Sequence, residues 1–472
     1  MQNKPVLVIG AGLAGCEAAY RLARRGIRVK LVEMRPVRQT EAHKTGDLAE
    51  LVCSNSFKSL SPVTAPGALK RELELLGSLA ISAARKAAVS AGEALAVDRD
   101  IFSRAMQDAI ASEPLITLVR EEVLSIPDDP DQLVILATGP LTSPSLSESL
   151  RKFTGGDHFY FYDAISPILD ASSLDRSVIF AANRYGKQTR ELADSGASNE
   201  EAADYLNCPM DRAQYEAFID ALLKGERVEP KSFERVKHFE GCMPIEEMAD
   251  RGRDTPRFGP MKPVGLDDPR TGREPWACVQ LRAENKSKTA YNIVGFQTKL
   301  KYGEQAKVFR LIPGLENAEF FRLGSMHRNT FVDAPRVLNL DLSLKNARHV
   351  MLAGQITGVE GYLESAAIGL LAAIFAEARL KELPLPSPPA ASALGALLGH
   401  TRNTQNVDYQ PSGINFGLFE DEPFAEDLAA LRTRFPKKIP KDERRKAICE
   451  ASWRNASAFG ARLHLVEGRV NL

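Results

Sequence analysis

Cysteine is sparse and scattered: six in 472 residues, at positions 16, 53, 208, 242, 278 and 449. None forms a C-x-x-C pair, and no Cys/His spacing matches a zinc site, so neither a structural metal nor a disulfide framework is expected. Free thiols fit a reducing cytoplasm. Net charge is zero, with 61 Lys and Arg against 61 Asp and Glu. No global field therefore draws the chain onto nucleic acid, although a local patch can do so. No apolar run reaches 18 residues, so no membrane span is expected. The first apolar run lacks a preceding basic region and breaks at Gly10, which argues against a signal peptide. No internal repeat is present. A hydrophobic content of 44% and a charged content of 26% are ordinary for a globular chain, and 472 residues exceed one simple core, so at least two domains are expected.

Against these absences stands one strong local signal. Val6-Leu7-Val8-Ile9 reads as a buried strand and runs into Gly10-Ala11-Gly12-Leu13-Ala14-Gly15, a match to G-x-G-x-x-G. An amphipathic stretch from Leu13 to Arg25 follows, then a second strand, Arg28 to Val32, that ends on Glu33. Strand, glycine turn, helix, strand and acid is the order of a dinucleotide-binding unit. Gly10 permits the tight turn, Gly12 lets the backbone approach a pyrophosphate, and Gly15 lets helix and strand pack closely. The helix N-terminus offers N–H groups and partial positive charge to phosphate. Glu33 stands where a carboxylate can meet ribose hydroxyls.

Two further segments share the theme. Leu133-Val134-Ile135-Leu136 leads to Ala137-Thr138-Gly139, and Val350-Met351-Leu352-Ala353 leads to Gly354-Gln355, Gly358 and Gly361 before a helix from Leu363 to about Leu380. Three segments that converge on one ligand favour FAD over simple NAD binding. The expected fold is α/β: a glutathione-reductase-type FAD-binding Rossmann fold with an inserted α+β domain. Residues 1–140 and 336–385 form the FAD-binding domain, 141–335 the inserted substrate domain, and 386–472 a C-terminal segment. A helix is expected over 68–88, and 186–204 reads as a polar loop.

The candidate chemistry lies in thiols and one histidine. Cys53, in Leu51-Val52-Cys53-Ser54-Asn55-Ser56, falls at the ligand side of the sheet, and position alone leaves it either a reactive thiol or a structural one. Cys242, between Gly241 and Pro244, reads as an exposed turn, and Cys208 in Tyr205–Met210 has a similar setting. Cys16 and Cys278 read as core and Cys449 as peripheral. His327-Arg328-Asn329 lies in a polar, irregular stretch, where it is either a surface pair or a contact for an anionic heteroaromatic ligand. From Leu431 onward Lys and Arg outnumber Asp and Glu 11 to 4, a solvated helix face or an RNA contact.

In order along the chain, Gly10–Gly15, Val32-Glu33-Met34-Arg35-Pro36, Leu51–Ser56, Tyr205–Met210, Gly259-Pro260-Met261-Lys262-Pro263-Val264-Gly265-Leu266, Met326–Thr330 and Gly358-Val359-Glu360-Gly361-Tyr362-Leu363-Glu364-Ser365 closely resemble the folate- and FAD-dependent tRNA (uracil-5-)-methyltransferases, the TrmFO family, up to roughly Gly417. The MnmG (GidA) tRNA-modifying flavoproteins share the frame. Lys187–Asp204 looks longer than usual for the family. The resemblance implies methylation of T-loop uridine 54, with 5,10-methylenetetrahydrofolate as donor and NAD(P)H reducing FAD. It implies Cys53 and Cys242 as catalytic thiols, with Cys242 favoured as the base nucleophile and Cys53 touching the flavin. It implies His327 and Arg328 as folate contacts, and a cofactor site drawn from Gly10 to Gly15, Glu33, Met34, Arg35, Thr138, Gly139, Gly354, Gln355, Gly358 and Gly361. The expected partner is the tRNA T-arm, with no membrane and no metal. The alternatives are the same chemistry on ribosomal RNA, a plain NAD(P)H:FAD oxidoreductase acting on a small substrate, and a non-catalytic FAD-containing RNA-binding protein.

Overall fold

The computed structural model describes residues 4–154, 159–164, 166–186, 203–228, 243–285, 287–324, 326–405, 409–437 and 439–468. The polar loop expected over 186–204 falls mostly outside these residues, and so does Cys242.

Strand β1 (Val6–Ile9) lies inside a six-stranded sheet with β2 (Val29–Glu33), β6 (Ile116–Arg120), β7 (Val134–Leu136), β16 (Ser343–Leu344) and β17 (Ala347–Leu352). The order is β16-β17-β7-β1-β2-β6, and every pairing but β16–β17 is parallel. Parallel strands need both faces covered, and Val8, Leu31, Val134, Ile135 and Leu136 are accordingly buried as near-continuous apolar runs. Helix α1 (Leu13–Arg24) packs against the helix Tyr362–Leu380 on one face. Their approach is close because a Cβ on Gly369 would stand 2.4 Å from the Ala14 carbonyl oxygen.

The single helix expected over 68–88 is two, Ala65–Leu75 and Leu79–Lys86. Gly77 adopts φ +75° between them, a turn that glycine makes at little cost. The buried Glu17 carboxylate then accepts the N–H groups of Leu79 and Ala80 at the start of the second helix. A small antiparallel sheet of β3 (Ser56–Ser59), β4 (Ala88–Val89) and β5 (Ala94–Val97) sits beside this pair.

A second core, drawn from Leu169 to Ala318, covers one face of another six-stranded sheet. Its strands are β9 (Ile168–Asp170), β10 (Phe180–Ala181), β11 (Tyr205–Met210), β12 (Ala277–Ala283), β13 (Ala290–Ile293) and β14 (Phe320–Arg322), in the order β10-β11-β12-β13-β9-β14 with antiparallel pairings. Strand β15 (Met326–Phe331) pairs with β8 (Phe159–Ala164) in a separate ribbon. The helix Pro144–Thr154 sends Leu146 and Leu150 into the first core, and the C-terminal segment does the same with Leu394, Leu397, Ile448 and Phe459. Among the described residues no helix is long and apolar enough to cross a membrane.

Candidate active site

The carboxyl ends of β1, β2, β6, β7 and β17 open into one cleft. Its walls include Gly10, Gly12, Leu13 and Ala14 from the glycine turn, Glu33, Met34 and Arg35 after β2, and Glu121 and Glu122 after β6. Thr138 and Gly139 after β7, and Gly354 and Gln355 after β17, complete it. The three sequence segments expected to share a ligand thus meet, at the crevice where open α/β sheets bind theirs. The cleft encloses about 1030 Å³, open solvent at its mouth included.

Each glycine of the turn has its own constraint. Gly10 has φ +98°, and a Cβ there would stand 2.6 Å from the Ala137 carbonyl oxygen. A Cβ on Gly15 would stand 1.8 Å from the Gly10 carbonyl oxygen. Gly12, by contrast, faces empty space, with nothing within 4 Å of where its Cβ would be. It is also the N-cap of α1 and supplies no side-chain cap. An uncapped helix N-terminus behind a bare backbone is the cradle a pyrophosphate fills. The residues present therefore fit the diphosphate of a dinucleotide.

Glu33 is buried, and both of its oxygens are engaged. Oε2 accepts the Ala11 N–H at 2.9 Å, and Oε1 accepts the Arg35 N–H at 3.0 Å and Nε at 2.9 Å. Burial pushes its pKa up, but the Arg35 charge and these hydrogen bonds outweigh burial and hold it below the usual carboxylate range. Arg35 reaches on to Glu50 at 2.9 Å. Arg35 thus ties the acid that closes β2 to the loop leading to Cys53. His43 stands in the same wall, and burial first, then Arg35, lowers its pKa to about 4.

Cys53 is half-buried on that loop, held by residues distant in sequence. Arg99 bonds the Leu51 carbonyl and pairs with Glu284 at 2.7 Å. Arg322 donates to the Val52 carbonyl at 2.8 Å. Arg282 donates to Ser54 Oγ at 3.3 Å and to Asn55 Oδ1 at 3.1 Å. Arg282 and Arg322 come from β12 and β14, so the second sheet grips the Cys53 loop. The Sγ lies 3.1 Å from the Tyr362 hydroxyl, and Tyr362 lines the cleft. Arg99, Arg282, Arg322 and Tyr362 carried no local motif that pointed to the loop; only the position of Tyr362 in Gly361-Tyr362 hinted at a site.

Not every expected residue lines the cleft. Ala11 and Gly15 act from behind it, Gly358 is covered by the Tyr409 ring, and Gly361 is the N-cap of the helix Tyr362–Leu380. Three sequence expectations are corrected. Cys208 is on no exposed turn: it is buried mid-strand in β11, and burial raises its thiol well above the usual range. Pro209 is tolerated there because β10 pairs only with Leu206 and Asn207, which leaves its side of the strand open. Cys449 is not peripheral but buried, 3.9 Å from the Thr64 carbonyl oxygen. His327 and Arg328 fall in a regular strand, β15, opposite Asp163 and Tyr162, and their side chains lie outside what is described. Cys16 and Cys278 are core, as expected, with thiol pKa values raised by burial. Part of the C-terminal basic cluster is paired: Arg432 and Arg444 meet Asp421, and Arg454 meets Asp427.

The family described as glucose inhibited division protein A matches residues 5–384. Aquifex aeolicus GidA is similar in structure, with a TM-score of 0.65 at 16% identity, over 99% of this chain and 90% of that one, which speaks to the fold. A Pelobacter propionicus protein named methylenetetrahydrofolate--tRNA-(uracil-5-)-methyltransferase TrmFO is 52% identical over 96% of this chain and 94% of its own. Its Syntrophotalea carbinolica namesake is 50% identical over 98% and 95%. With half of its residues shared along nearly its whole length, this chain belongs to the TrmFO family, within the wider GidA group.

Proposed function

We propose that this protein methylates C5 of uridine 54 in the tRNA T-loop, with FAD in the cleft. Uridine, 5,10-methylenetetrahydrofolate, NAD(P)H and a proton yield 5-methyluridine, tetrahydrofolate and NAD(P)⁺. The place of action is the cytoplasm. The observation that carries the reading is the Cys53 thiol, on a loop fastened to the wall of a dinucleotide-shaped cleft, in a chain half identical to proteins named as methylenetetrahydrofolate-dependent tRNA (uracil-5-)-methyltransferases.

Bound FAD supplies two-electron chemistry and a carrier for the one-carbon unit. The turn Gly10–Gly15 and the N-terminus of α1 hold its diphosphate. Glu33, Met34 and Arg35 wall the ribose side. Thr138, Gly139, Gly354 and Gln355 wall the other end, and Gly358 and Gly361 shape the turn into the helix Tyr362–Leu380. Uracil C5 is a poor nucleophile. Addition of the Cys242 thiolate to C6 pushes electron density onto C5, which then attacks the one-carbon unit; loss of the C5 proton expels the carrier amine and leaves an exocyclic methylene, and a hydride that originates from NAD(P)H converts this to the methyl group as the thiolate departs. Cys53 works beside the cofactor. His327 stacks on the pterin, and Arg328 meets its polar edge. The base must leave the folded tRNA elbow, at a cost of a few kcal/mol that phosphate contacts offset. Exposed C-terminal cations, Lys441 and Lys446 among them, are candidates for those contacts.

The test is to substitute Cys53→Ala and Cys242→Ala separately. Each variant is expected to retain FAD and NAD(P)H oxidation while losing methyl transfer by roughly a hundredfold or more. Full methyl transfer by both would overturn the reading, since neither thiol would then take part.

A further inference from the structure

The hydroxyl of Tyr362 sits in the bend of the Cys53 loop. It accepts the N–H of Cys53 at 2.9 Å and that of Ser54 at 3.2 Å, and it lies 3.1 Å from Cys53 Sγ. A phenol has two acceptor positions and one hydrogen. With both acceptor positions taken by backbone N–H groups, the hydrogen is left for the sulfur. The hydrogen bond therefore runs from oxygen to sulfur, and a sulfur that accepts is better satisfied as thiolate than as thiol. Burial first, then the charge of Cys53, pushes the Tyr362 hydroxyl well above the usual phenol range, so Tyr362 keeps the proton it donates.

The charges around the pair act in the same direction. The Arg99 guanidinium, on the helix Arg99–Ala111, and the Arg322 guanidinium, on β14, both interact electrostatically with Cys53 and with Tyr362. Glu284 faces Arg99, and Glu50 faces Arg322. Arg282 reaches the loop through Ser54 and Asn55. The tyrosine is thus a neutral donor inside a collar of arginines, with its two carboxylates turned to the guanidinium groups.

We propose that Tyr362 is a positioning residue for Cys53: its hydroxyl fixes the sulfur at the cleft wall and favours the thiolate. The inference rests on the reading of Cys53 as a reactive thiol, and no role for Tyr362 is contained in that reading.

The test follows alkylation of Cys53 by iodoacetamide in the flavin-loaded protein against pH, with the labelled peptide identified by mass. The thiolate is the reacting form, so the midpoint of the rate profile reports the thiol's ionisation. In Tyr362→Phe the midpoint is expected to rise by about one pH unit, with alkylation about tenfold slower below it and an unchanged plateau above it. Site-specific replacement of Tyr362 by 3-fluorotyrosine, a stronger donor of nearly the same shape, is expected to lower the midpoint and keeps the test open should the phenylalanine variant not fold. A midpoint that stays put in the folded variants, with only the plateau altered, would overturn the proposal and leave Tyr362 a packing residue. Methyl transfer is not read, so failure of the RNA-methylation reading leaves this outcome standing. Failure of the Tyr362 proposal likewise leaves wild-type methylation intact.

Discussion

Gly12 and Gly15 stand three residues apart in one turn yet answer to different constraints. Open space beside Gly12 is room for a ligand, whereas the 1.8 Å between a Gly15 Cβ and the Gly10 carbonyl oxygen is room the protein does not have. Gly12→Val is therefore expected to keep the thermal midpoint of the flavin-free protein and lose bound FAD on gel filtration. Gly15→Ala is expected to lower the flavin-free midpoint, at a cost of about 3 kcal/mol or more. His43 gives a pH prediction. Its folded pKa of about 4 lies below the ordinary 6.5, so its contribution to stability is fully present above pH 6.5. That contribution falls away as pH drops toward 4, because the unfolded chain takes up the proton first. His43→Gln is expected to flatten the loss of thermal midpoint across pH 6.5 to 4 relative to wild type, and an unaltered slope would show that other groups set it.

Among the elements, the buried Glu72 joins three helices. Its carboxylate accepts the N–H groups of Ala393 and Leu394, at the start of the helix Ala393–His400, and the hydroxyl of Ser452 in the C-terminal helix. Glu72→Ala leaves the buried Leu394 N–H without its acceptor, while the Ala393 N–H keeps Ser452 Oγ at 2.8 Å, and is expected to cost about 1–3 kcal/mol, read as a shift in urea midpoint. Legibility in the sequence followed chain distance. The glycine turn, its strands and Glu33 are contiguous, so period and spacing carried them. The Cys53 loop is contiguous too, but its holders Arg99, Arg282 and Arg322 stand 48, 227 and 270 residues away from the atoms they bond. No local pattern records those contacts. Tyr205–Met210 looked like a turn because a proline inside a strand normally argues against one, and only the shortness of β10 makes it acceptable. The pairing of β15 with β8 was hidden for a similar reason, since a polar strand in a two-stranded ribbon has no apolar alternation to show.

On the scale of the whole molecule, a second core hangs from the first sheet and reaches back to it through arginines. The C-terminal helix, Lys441–Gly468, packs against the helix Ala65–Leu75. Its Arg444 and Arg454 pair with Asp421 and Asp427, and among its other cations Lys441 and Lys446 are exposed. If these two meet phosphate, Lys441→Glu with Lys446→Glu is expected to weaken tRNA binding and to reduce the slope of log affinity against log salt by about 2. An unchanged slope would place the RNA elsewhere.

The most direct measurement supplies the purified, FAD-loaded protein with unmodified tRNA transcript, NAD(P)H and methylenetetrahydrofolate labelled in its one-carbon unit, and maps the label in the RNA. Label is expected in 5-methyluridine at position 54, dependent on folate and lost when that uridine is replaced by cytidine. Protein that binds FAD and oxidises NAD(P)H but leaves tRNA unlabelled would contradict that expectation.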